Sequence, residues 1–146
     1  MEIVLAKFED LEEVSRLFDQ YRVFYKKSSN IEAARTFLQE RFQKNESTMF
    51  VARDQELMVG FTQLYPSFSS VSLKRTWILN DLFVEEPYRK KGVAKSLIKA
   101  AERFAWETGA VRIILATQIS NTAAQSLYES LGYVKDKDLY HYALQL

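Results

Sequence analysis

A cationic segment with a single glycine follows an apolar run in the second half of the chain. The run RTWILNDLFV, residues 75–84, leads through EEPY into RKKGVA, residues 89–94. If a helix begins here, its first backbone N–H groups lack partners within the helix and point together toward an anion. Gly92 and Ala94 keep the approach to this backbone clear. Positive charge comes from four side chains, which are Arg89, Lys90, Lys91 and Lys95. Because the helix dipole adds to this charge, the segment predicts a site for phosphate, and a diphosphate fits it well.

Two other interpretations fit the same residues. Lysines at a helix start are often merely solvated. The basic cluster between Lys90 and Lys99 could also bind nucleic acid. The segment is not a Walker loop, because the two-glycine spacing and the terminal Lys-Ser/Thr are missing, and it is not the three-glycine Rossmann turn.

Hydrophobic periodicity predicts the elements that position this segment. In the first half we expect a strand over residues 2–8 and a helix from a cap at Asp10 to about Tyr25. A second helix follows a cap at Asn30. Apolar β-formers on both sides of Asp54-Gln55 then predict a hairpin over residues 47–65.

In the second half, residues 75–84 form a long strand, and a helix with one apolar face follows Arg89 and ends near Gly109. Residues 111–116 are a short buried strand. Tyr128 lies on the apolar stripe of a further helix that closes at Gly132, and residues 133–146 look like two strands around a charged turn. This order, β-α-α-β-β-β-α-β-α-β-β, predicts an α/β fold with a mixed sheet and helices on both faces.

Composition excludes several classes of protein. A chain of 146 residues can build the core of one domain unaided. The formal net charge of +1 gives no general attraction to nucleic acid or to an anionic membrane. Zero cysteines exclude thiolate catalysis and zinc–thiolate sites, and one histidine excludes a multi-histidine centre, so no metal is expected. The start MEIVLAKFED lacks the basic lead of a secretory signal, and no apolar run suits a membrane span, so we expect a cytoplasmic protein.

The motifs resemble those of the GNAT superfamily of acetyl-CoA-dependent N-acetyltransferases. That family carries Arg/Gln-x-x-Gly-x-Gly/Ala between its fourth strand and third helix, as residues 89–94 do here. Asn121 opens the next helix and precedes Tyr128 by seven residues, and LYESLGY, residues 127–133, is similar to the family's closing block. Within the superfamily, residues 77–94 look most like the diamine and polyamine acetyltransferases. The resemblance implies one N-acetyltransferase domain over residues 1–146, with a mixed, mostly antiparallel sheet of six or seven strands and helices on both faces.

The resemblance also implies where acetyl-CoA, the acetyl donor, is held. Its diphosphate would lie on the backbone of the basic segment, with Arg89 shaping the turn. Its pantetheine arm would pair with the fourth strand as an added strand, and the far part of the arm would touch the next helix. The implied contacts are Leu82, Phe83, Val84, Arg89, Lys90, Lys91, Gly92, Val93, Ala94, Lys95, Asn121 and Ala124. The side chains of Leu82 and Val84 are also expected to pack in the core.

The catalytic groups follow from the same resemblance. Tyr128 matches the family's usual general acid. Proton transfer from a phenol of pKa ~10 to a thiolate whose acid has pKa ~8.5 costs about 2 kcal/mol of free energy. The site must therefore lower the pKa of Tyr128, or Tyr128 must only hydrogen-bond the thiolate. Polyamine-type relatives carry a Glu-Asp pair on the fourth strand, where this chain has Asn80-Asp81. Asn80 cannot be a base, but it could orient a water or the amine. The candidates for the base are therefore Asp81, Glu85 or a water chain. Asp81 could equally be a structural carboxylate.

The acceptor side is implied to lie at YRVFY, residues 21–25, through Tyr21, Arg22 and Tyr25, although the aromatic residues also suit the core. The lone His141 is interpreted as a strand residue rather than a base.

The implied reaction is direct attack of a primary amine, either a small, polyamine-like amine or a lysine-like one, on acetyl-CoA in a ternary complex. The alternative is a non-catalytic acetyl-CoA-binding sensor, motivated by the missing Glu at Asn80. The implied partner is a small-molecule amine, with neither nucleic acid nor membrane, and a homodimer is compatible with the aromatic C-terminal residues.

Overall fold

The structure is a computed structural model of the chain, and it describes residues 1–146. The chain divides into two compact units, Met1–Leu115 and Ala116–Leu146. The first contains β1 (Glu2–Leu5), α1 (Leu11–Phe24), α2 (Ile31–Gln43), β2 (Thr48–Asp54), β3 (Leu57–Ser69), β4 (Lys74–Val84), α3 (Val93–Glu107) and β5 (Arg112–Ile114). Short 3-10 turns lie at Phe8–Asp10 and Glu86–Tyr88. The second unit contains α4 (Thr122–Ser130). None of these helices combines the length and the apolar character that a membrane crossing requires.

The five strands form one mixed sheet in the order β1-β2-β3-β4-β5. The first three pairings are antiparallel, and β4 pairs with β5 in parallel. The parallel pairing is short, because it joins only Thr76, Trp77 and Ile78 to β5. From residue 79 to residue 84, therefore, β4 has no strand neighbour on its β5 side.

A β-bulge interrupts the pairing of β3 with β4. Gln63 lies opposite Asp81, and the next residue of β3, Leu64, lies opposite Leu79. Asn80 is thus the extra residue on β4. Bulges re-aim side chains, and here the bulge leaves Asn80 exposed while Asp81 is buried.

Helices cover both faces of the sheet. On one face, α1 and α2 pack onto the sheet through a core that includes Leu17, Leu38 and Phe61, all fully buried. On the other face, α3 packs through Val93 and Leu97. Each such buried side chain stabilises the fold by roughly 1.5–3 kcal/mol, so these two cores hold the helices that flank β4.

Two predicted helix caps are present. The side chains of Asn30 and Asn121 accept N–H hydrogen bonds from Ala33 and Ala124, each at 3.1 Å. The first strand is shorter than predicted. The Asp10 carboxylate accepts the backbone N–H of Lys7 at 2.8 Å, which closes a 3-10 turn, so β1 ends at Leu5 rather than at residue 8.

The prediction of six or seven strands is wrong, because the sheet has five. The charged turn expected in residues 133–146 exists, since the Asp136 carboxylate accepts the N–H groups of Asp138 and Leu139 at 2.8 and 3.2 Å. The two strands expected around it do not form. An isolated hairpin needs a packed apolar face to be stable, whereas four of the apolar side chains here are 66–92% exposed, namely Leu139, Tyr140, Tyr142 and Leu144.

Candidate active site

The basic segment forms the turn that connects β4 to α3. Lys90 and Gly92 have positive φ angles of 62° and 82°, a conformation that glycine adopts without strain. A Cβ atom on Gly92 would meet no heavy atom within 4 Å. The side chains of Lys90, Lys91 and Lys95 are exposed. The turn therefore presents open space beside the backbone, surrounded by positive charge.

The backbone N–H groups at the start of α3 are available to a ligand. The first bond into the helix runs from the N–H of Ser96 to the carbonyl of Gly92 at 3.0 Å. The N–H groups of Val93, Ala94 and Lys95 precede it and have no acceptor within the helix. Because α3 is 15 residues long, it adds the positive end of a full helix dipole. The turn thus fits the diphosphate of a nucleotide-like ligand.

Arg89 holds the turn to the end of β4. Its Nε donates to the carbonyl of Val84 at 2.7 Å, and its guanidinium lies 5.4 and 5.5 Å from the ring centres of Phe24 and Phe83. The main hydrogen bond of Arg89 is therefore made inside the chain. Charge for an incoming anion comes instead from the lysines.

The strand before this turn offers an open edge. Leu82 is half-buried, and Phe83 and Val84 are buried in the cores on opposite faces of the sheet. Their side chains therefore pack in the protein, as expected, while the backbone on the β5 side lacks a strand partner. An extended ligand can pair with such an edge through main-chain hydrogen bonds.

Asp81 is the centre of a buried polar cluster. It is 4% exposed. Its Oδ2 accepts the Nε2 of Gln63 at 2.6 Å, and its Oδ1 accepts the Nδ2 of Asn80 at 3.0 Å. The hydroxyl of Tyr21 also hydrogen-bonds to this carboxylate. The predicted residues Asn80, Asp81 and Tyr21 are thus brought together.

The environment of the cluster sets its proton affinity. Burial raises the pKa of Asp81 above its ordinary value, although the hydrogen bonds from Gln63, Tyr21 and Asn80 oppose the rise. Burial, with the nearby charge of Asp81, raises the pKa of Tyr21 far above that of an ordinary phenol and the pKa of Tyr65 to about 12. Both phenols are neutral at physiological pH. The Asp81 carboxylate is a stronger base than an exposed one, which suits proton transfer from an amine.

The other predicted groups lie outside the hydrogen bonds of this cluster. Tyr25 packs against Tyr21, with ring centres 5.0 Å apart. Arg22 is half-buried on α1. Glu85, the other candidate base, forms an ion pair with Arg16 at 3.0 Å. The Glu85 carboxylate therefore already has a cationic partner inside the chain.

Two polar residues of β3, Gln63 and Tyr65, were not predicted from the sequence. Gln63 is fully buried, and Tyr65 lines a cavity of about 510 Å³. The remaining lining residues are Phe37, Arg41, Asn45, Glu46 and Pro66. The signal was the alternation of Phe61, Gln63 and Tyr65 on one face of the strand, since a polar residue at a core-facing position needs a polar partner.

The second compact unit carries the remaining predicted residues. Asn121 caps α4, and its side chain holds the N–H of Ala124. Tyr128 is buried on α4, with its ring centre 5.9 Å from that of Tyr133 in an edge-on arrangement. Tyr133 follows Gly132, whose φ of 93° ends the helix. The cap, Tyr128 and the Gly-aromatic pair thus occupy one short helix and its exit.

These features define a strand–turn–helix unit with open backbone N–H groups and exposed lysines, together with a buried carboxylate on the same strand, and comparison with known proteins identifies the class. The sequence model of the Acetyltransferase (GNAT) family matches residues 13–133. A Bacillus subtilis protein, the uncharacterized N-acetyltransferase YhfO, is 44% identical over 146 residues, which cover 100% of this chain and 98% of that protein. The chain therefore belongs to the GNAT family of acetyltransferases, and it is an acetyltransferase enzyme. Members of this family use acetyl-CoA as the donor.

Solved structures agree with this assignment. The crystal structure of a probable acetyltransferase is 44% identical and superposes with a TM-score of 0.95, covering 100% of this chain and 98% of that one. The aminoglycoside N-acetyltransferase AAC(6')-Iy, solved in complex with CoA, has a TM-score of 0.82 at 22% identity, with 99% and 95% of the two chains covered. The second similarity concerns the fold alone. Together they confirm the predicted α/β GNAT fold.

Proposed function

We propose that this chain transfers the acetyl group of acetyl-CoA directly to a primary amine in a ternary complex. The observation that carries the proposal is that one strand, β4, holds a buried carboxylate at Asp81 and leads into a glycine turn with open space beside its backbone at Gly92. The turn suits a diphosphate, and the carboxylate suits a cationic amine. We also propose that residues 1–146 act as one acetyltransferase domain, because the family match runs through both compact units.

Acetyl-CoA supplies the acetyl group as a thioester, and residues of the chain hold it. We propose that the N–H groups of Val93, Ala94 and Lys95 bind the diphosphate with the charges of Lys90 and Lys91. The open edge of β4 at Leu82, Phe83 and Val84 would pair with the pantetheine arm. By their match to the family motif, Asn121 and Ala124 would contact the far part of that arm.

The proton transfers are assigned to two groups. An alkylamine with a pKa of ~10.4 is almost fully protonated at pH ~7, so it must lose a proton before it can attack. Asp81 would take this proton, with its carboxylate held by Asn80 and Tyr21. The amine nitrogen then bonds to the acetyl carbon as the carbon–sulfur bond breaks. Tyr128 would donate a proton to the departing sulfur, so that CoA leaves as a thiol.

The acceptor is proposed to be a small amine of the polyamine-like or lysine-like kind, with Tyr21, Arg22 and Tyr25 on its side of the site. A place in the diamine and polyamine branch is part of this proposal. The alternative of a non-catalytic sensor was motivated by the missing Glu at Asn80. That motivation is weakened because a buried carboxylate, Asp81, lies beside Asn80. A cytoplasmic location and a homodimer stay predictions.

The test combines calorimetry with a thiol assay. Isothermal titration is expected to show binding of acetyl-CoA, and a panel of primary amines is expected to contain at least one that drives steady release of CoA thiol. Absence of acetyl-CoA binding would contradict the donor site. Binding without release by any amine of the panel would favour the sensor.

A further inference from the structure

The side-chain oxygen of Gln63 has no hydrogen-bond donor. Gln63 is 0% exposed, and its Nε2 donates to Asp81 at 2.6 Å. Its Oε1 is buried without a partner. Buried polar atoms in folded proteins are nearly always paired. The unpaired oxygen beside the proposed proton acceptor is therefore open to a donor that a ligand brings.

The groups around Asp81 define what that donor is. Tyr21 on α1 and Tyr65 on β3 face the carboxylate and are neutral at physiological pH. The charge of Arg41 on α2 opposes the rise in the pKa of Tyr65. Arg41 already forms ion pairs with Glu46 at 3.0 Å and with Glu40 at 3.4 Å. The cluster thus has a carboxylate and an open acceptor without a cation of its own. A protonated primary amine supplies the positive charge and three N–H donors.

Tyr65 links this cluster to the cavity. Its side chain hydrogen-bonds to Gln63, and Tyr65 also lines the cavity of about 510 Å³ together with Phe37 and Pro66. The cavity is widely open to solvent, and its volume lies in the range of roughly 300–1,000 Å³ that small-molecule sites have. Across the cavity, the charges of Arg41 and Glu46 neutralise each other. The lining therefore combines apolar and polar side chains, and it has no net charge that would bind a second cation.

We propose that Gln63 and Asp81 form the ammonium subsite of the acceptor, and that the cavity beside Tyr65 holds the uncharged body of a small primary monoamine. The inference rests on the proposed transfer to a primary amine, and it replaces the polyamine-like acceptor of that proposal with a monoamine. Gln63 has two roles: its Nε2 holds the Asp81 carboxylate, and its Oε1 accepts an N–H of the ammonium group.

The test uses the full chain and two simple cations. Butylammonium chloride carries three N–H donors, whereas tetramethylammonium chloride carries the same charge without any. Butylammonium is expected to shift the side-chain amide signal of Gln63 in NMR spectra. It is also expected to lower the pKa of Asp81, followed through the carboxyl carbon, because a bound cation favours the ionised form. Tetramethylammonium is expected to do neither, and equal responses to the two cations would overturn the proposal.

Variants sharpen this result. Gln63→Leu is expected to raise the Kd of butylammonium by at least about tenfold, since a hydrogen bond to a charged group is lost, and to leave the Kd of acetyl-CoA within twofold. Gln63→Met is a second variant of similar volume. The matched control is Thr62→Val, because Thr62 is also 0% exposed but donates to the backbone carbonyl of Asp81 at 2.9 Å rather than to its carboxylate.

The outcomes separate this inference from the proposed function. Unchanged butylammonium binding in Gln63→Leu or Gln63→Met, with acetyl-CoA binding and thiol release intact in the native chain, would overturn the ammonium subsite alone. Absence of acetyl-CoA binding would instead remove the proposed function. Spermidine that bound more than about tenfold tighter than butylammonium would overturn the choice of a monoamine.

Discussion

Replacing Gly92 by alanine tests the donor site, and the chain provides a matched control for it. Gly92 precedes α3 and Gly109 follows it, with φ angles of 82° and 75°. At both positions an added Cβ would meet no heavy atom within 4 Å. Gly92→Ala and Gly109→Ala therefore introduce the same backbone strain at opposite ends of one helix. They differ in that only Gly92 lies in the proposed diphosphate site.

The two expected effects have separate magnitudes. A residue other than glycine in this backbone conformation costs about 1–2 kcal/mol, and the stiffer unfolded chain offsets about 0.4–1 kcal/mol of that. We therefore expect each variant to lose about 1 kcal/mol of unfolding free energy, or about 3–4 °C in Tm for a chain of this size. In Gly92→Ala the methyl group would also occupy the open space beside the turn. Loss of one charge-assisted hydrogen bond to phosphate costs about 1.5–3 kcal/mol, which raises the Kd of acetyl-CoA about tenfold to 150-fold.

The assay is isothermal titration of acetyl-CoA into the native chain and both variants, with thermal unfolding of each. Equal losses of Tm are expected in the two variants, with weaker binding in Gly92→Ala alone. If acetyl-CoA binds Gly92→Ala as tightly as the native chain, the diphosphate does not lie on this turn. If both variants bind it equally weakly, the effect comes from stability and the argument from open space is wrong.

Four further outcomes are expected. Asp81→Asn should lower kcat/KM for amine acetylation about 10²- to 10⁴-fold with an unchanged Kd for acetyl-CoA; a native rate in the thiol assay would show that Asp81 is not the proton acceptor. The folded-state pKa of Asp81 lies above its unfolded value, so its contribution to stability is complete below the unfolded pKa and is lost as the pH rises through the folded pKa. Urea unfolding at a series of pH values should show this fall in the native chain and not in Asp81→Asn. Tyr128→Phe should lower kcat about 10²- to 10⁴-fold without weakening acetyl-CoA binding, and a native kcat would remove Tyr128 as the acid. Gly60→Ala should cost about 1–3 kcal/mol of unfolding free energy, because its Cβ would lie 2.9 Å from the carbonyl oxygen of Phe83; an unchanged urea midpoint would show that β3 and β4 can separate.

The features that were predictable from the sequence depend on neighbours along the chain. The cap of α2 needs only Asn30 and the N–H three residues later, and the basic turn needs only a glycine, its adjacent lysines and the start of α3. Periodicity likewise located the hairpin around Asp54 and Gln55, where Gln55 has a φ of 57°. Local chemistry was sufficient for these elements because their partners are fixed by covalent connection.

The features that were missed depend on pairing between distant residues. Gln63 and Asp81 meet because β3 and β4 pair with a bulge at Asn80, and no pattern within either strand specifies that bulge. The same reason explains the C-terminal residues. Alternation in YHYALQL is typical of a strand, but a strand requires a partner and a buried face, and Tyr140 and Tyr142 are at least 90% exposed.

The arrangement along β4 restricts the shape of the donor. A strand rises by about 3.3 Å per residue, so Asp81 lies about 10 Å from Val84, and the 3-10 turn Glu86–Tyr88 separates Val84 further from Gly92. A compact anion such as phosphate cannot occupy the turn at Gly92 and reach the carboxylate as well. Between these points β4 offers an unpaired backbone edge with no charge. The donor must therefore be elongated, with an anionic end at the turn, an uncharged hydrogen-bonding middle along the strand and its reactive end at Asp81. Acetyl-CoA has that order of groups, which is why the length of unpaired β4 supports the proposed chemistry as strongly as the charge of the turn.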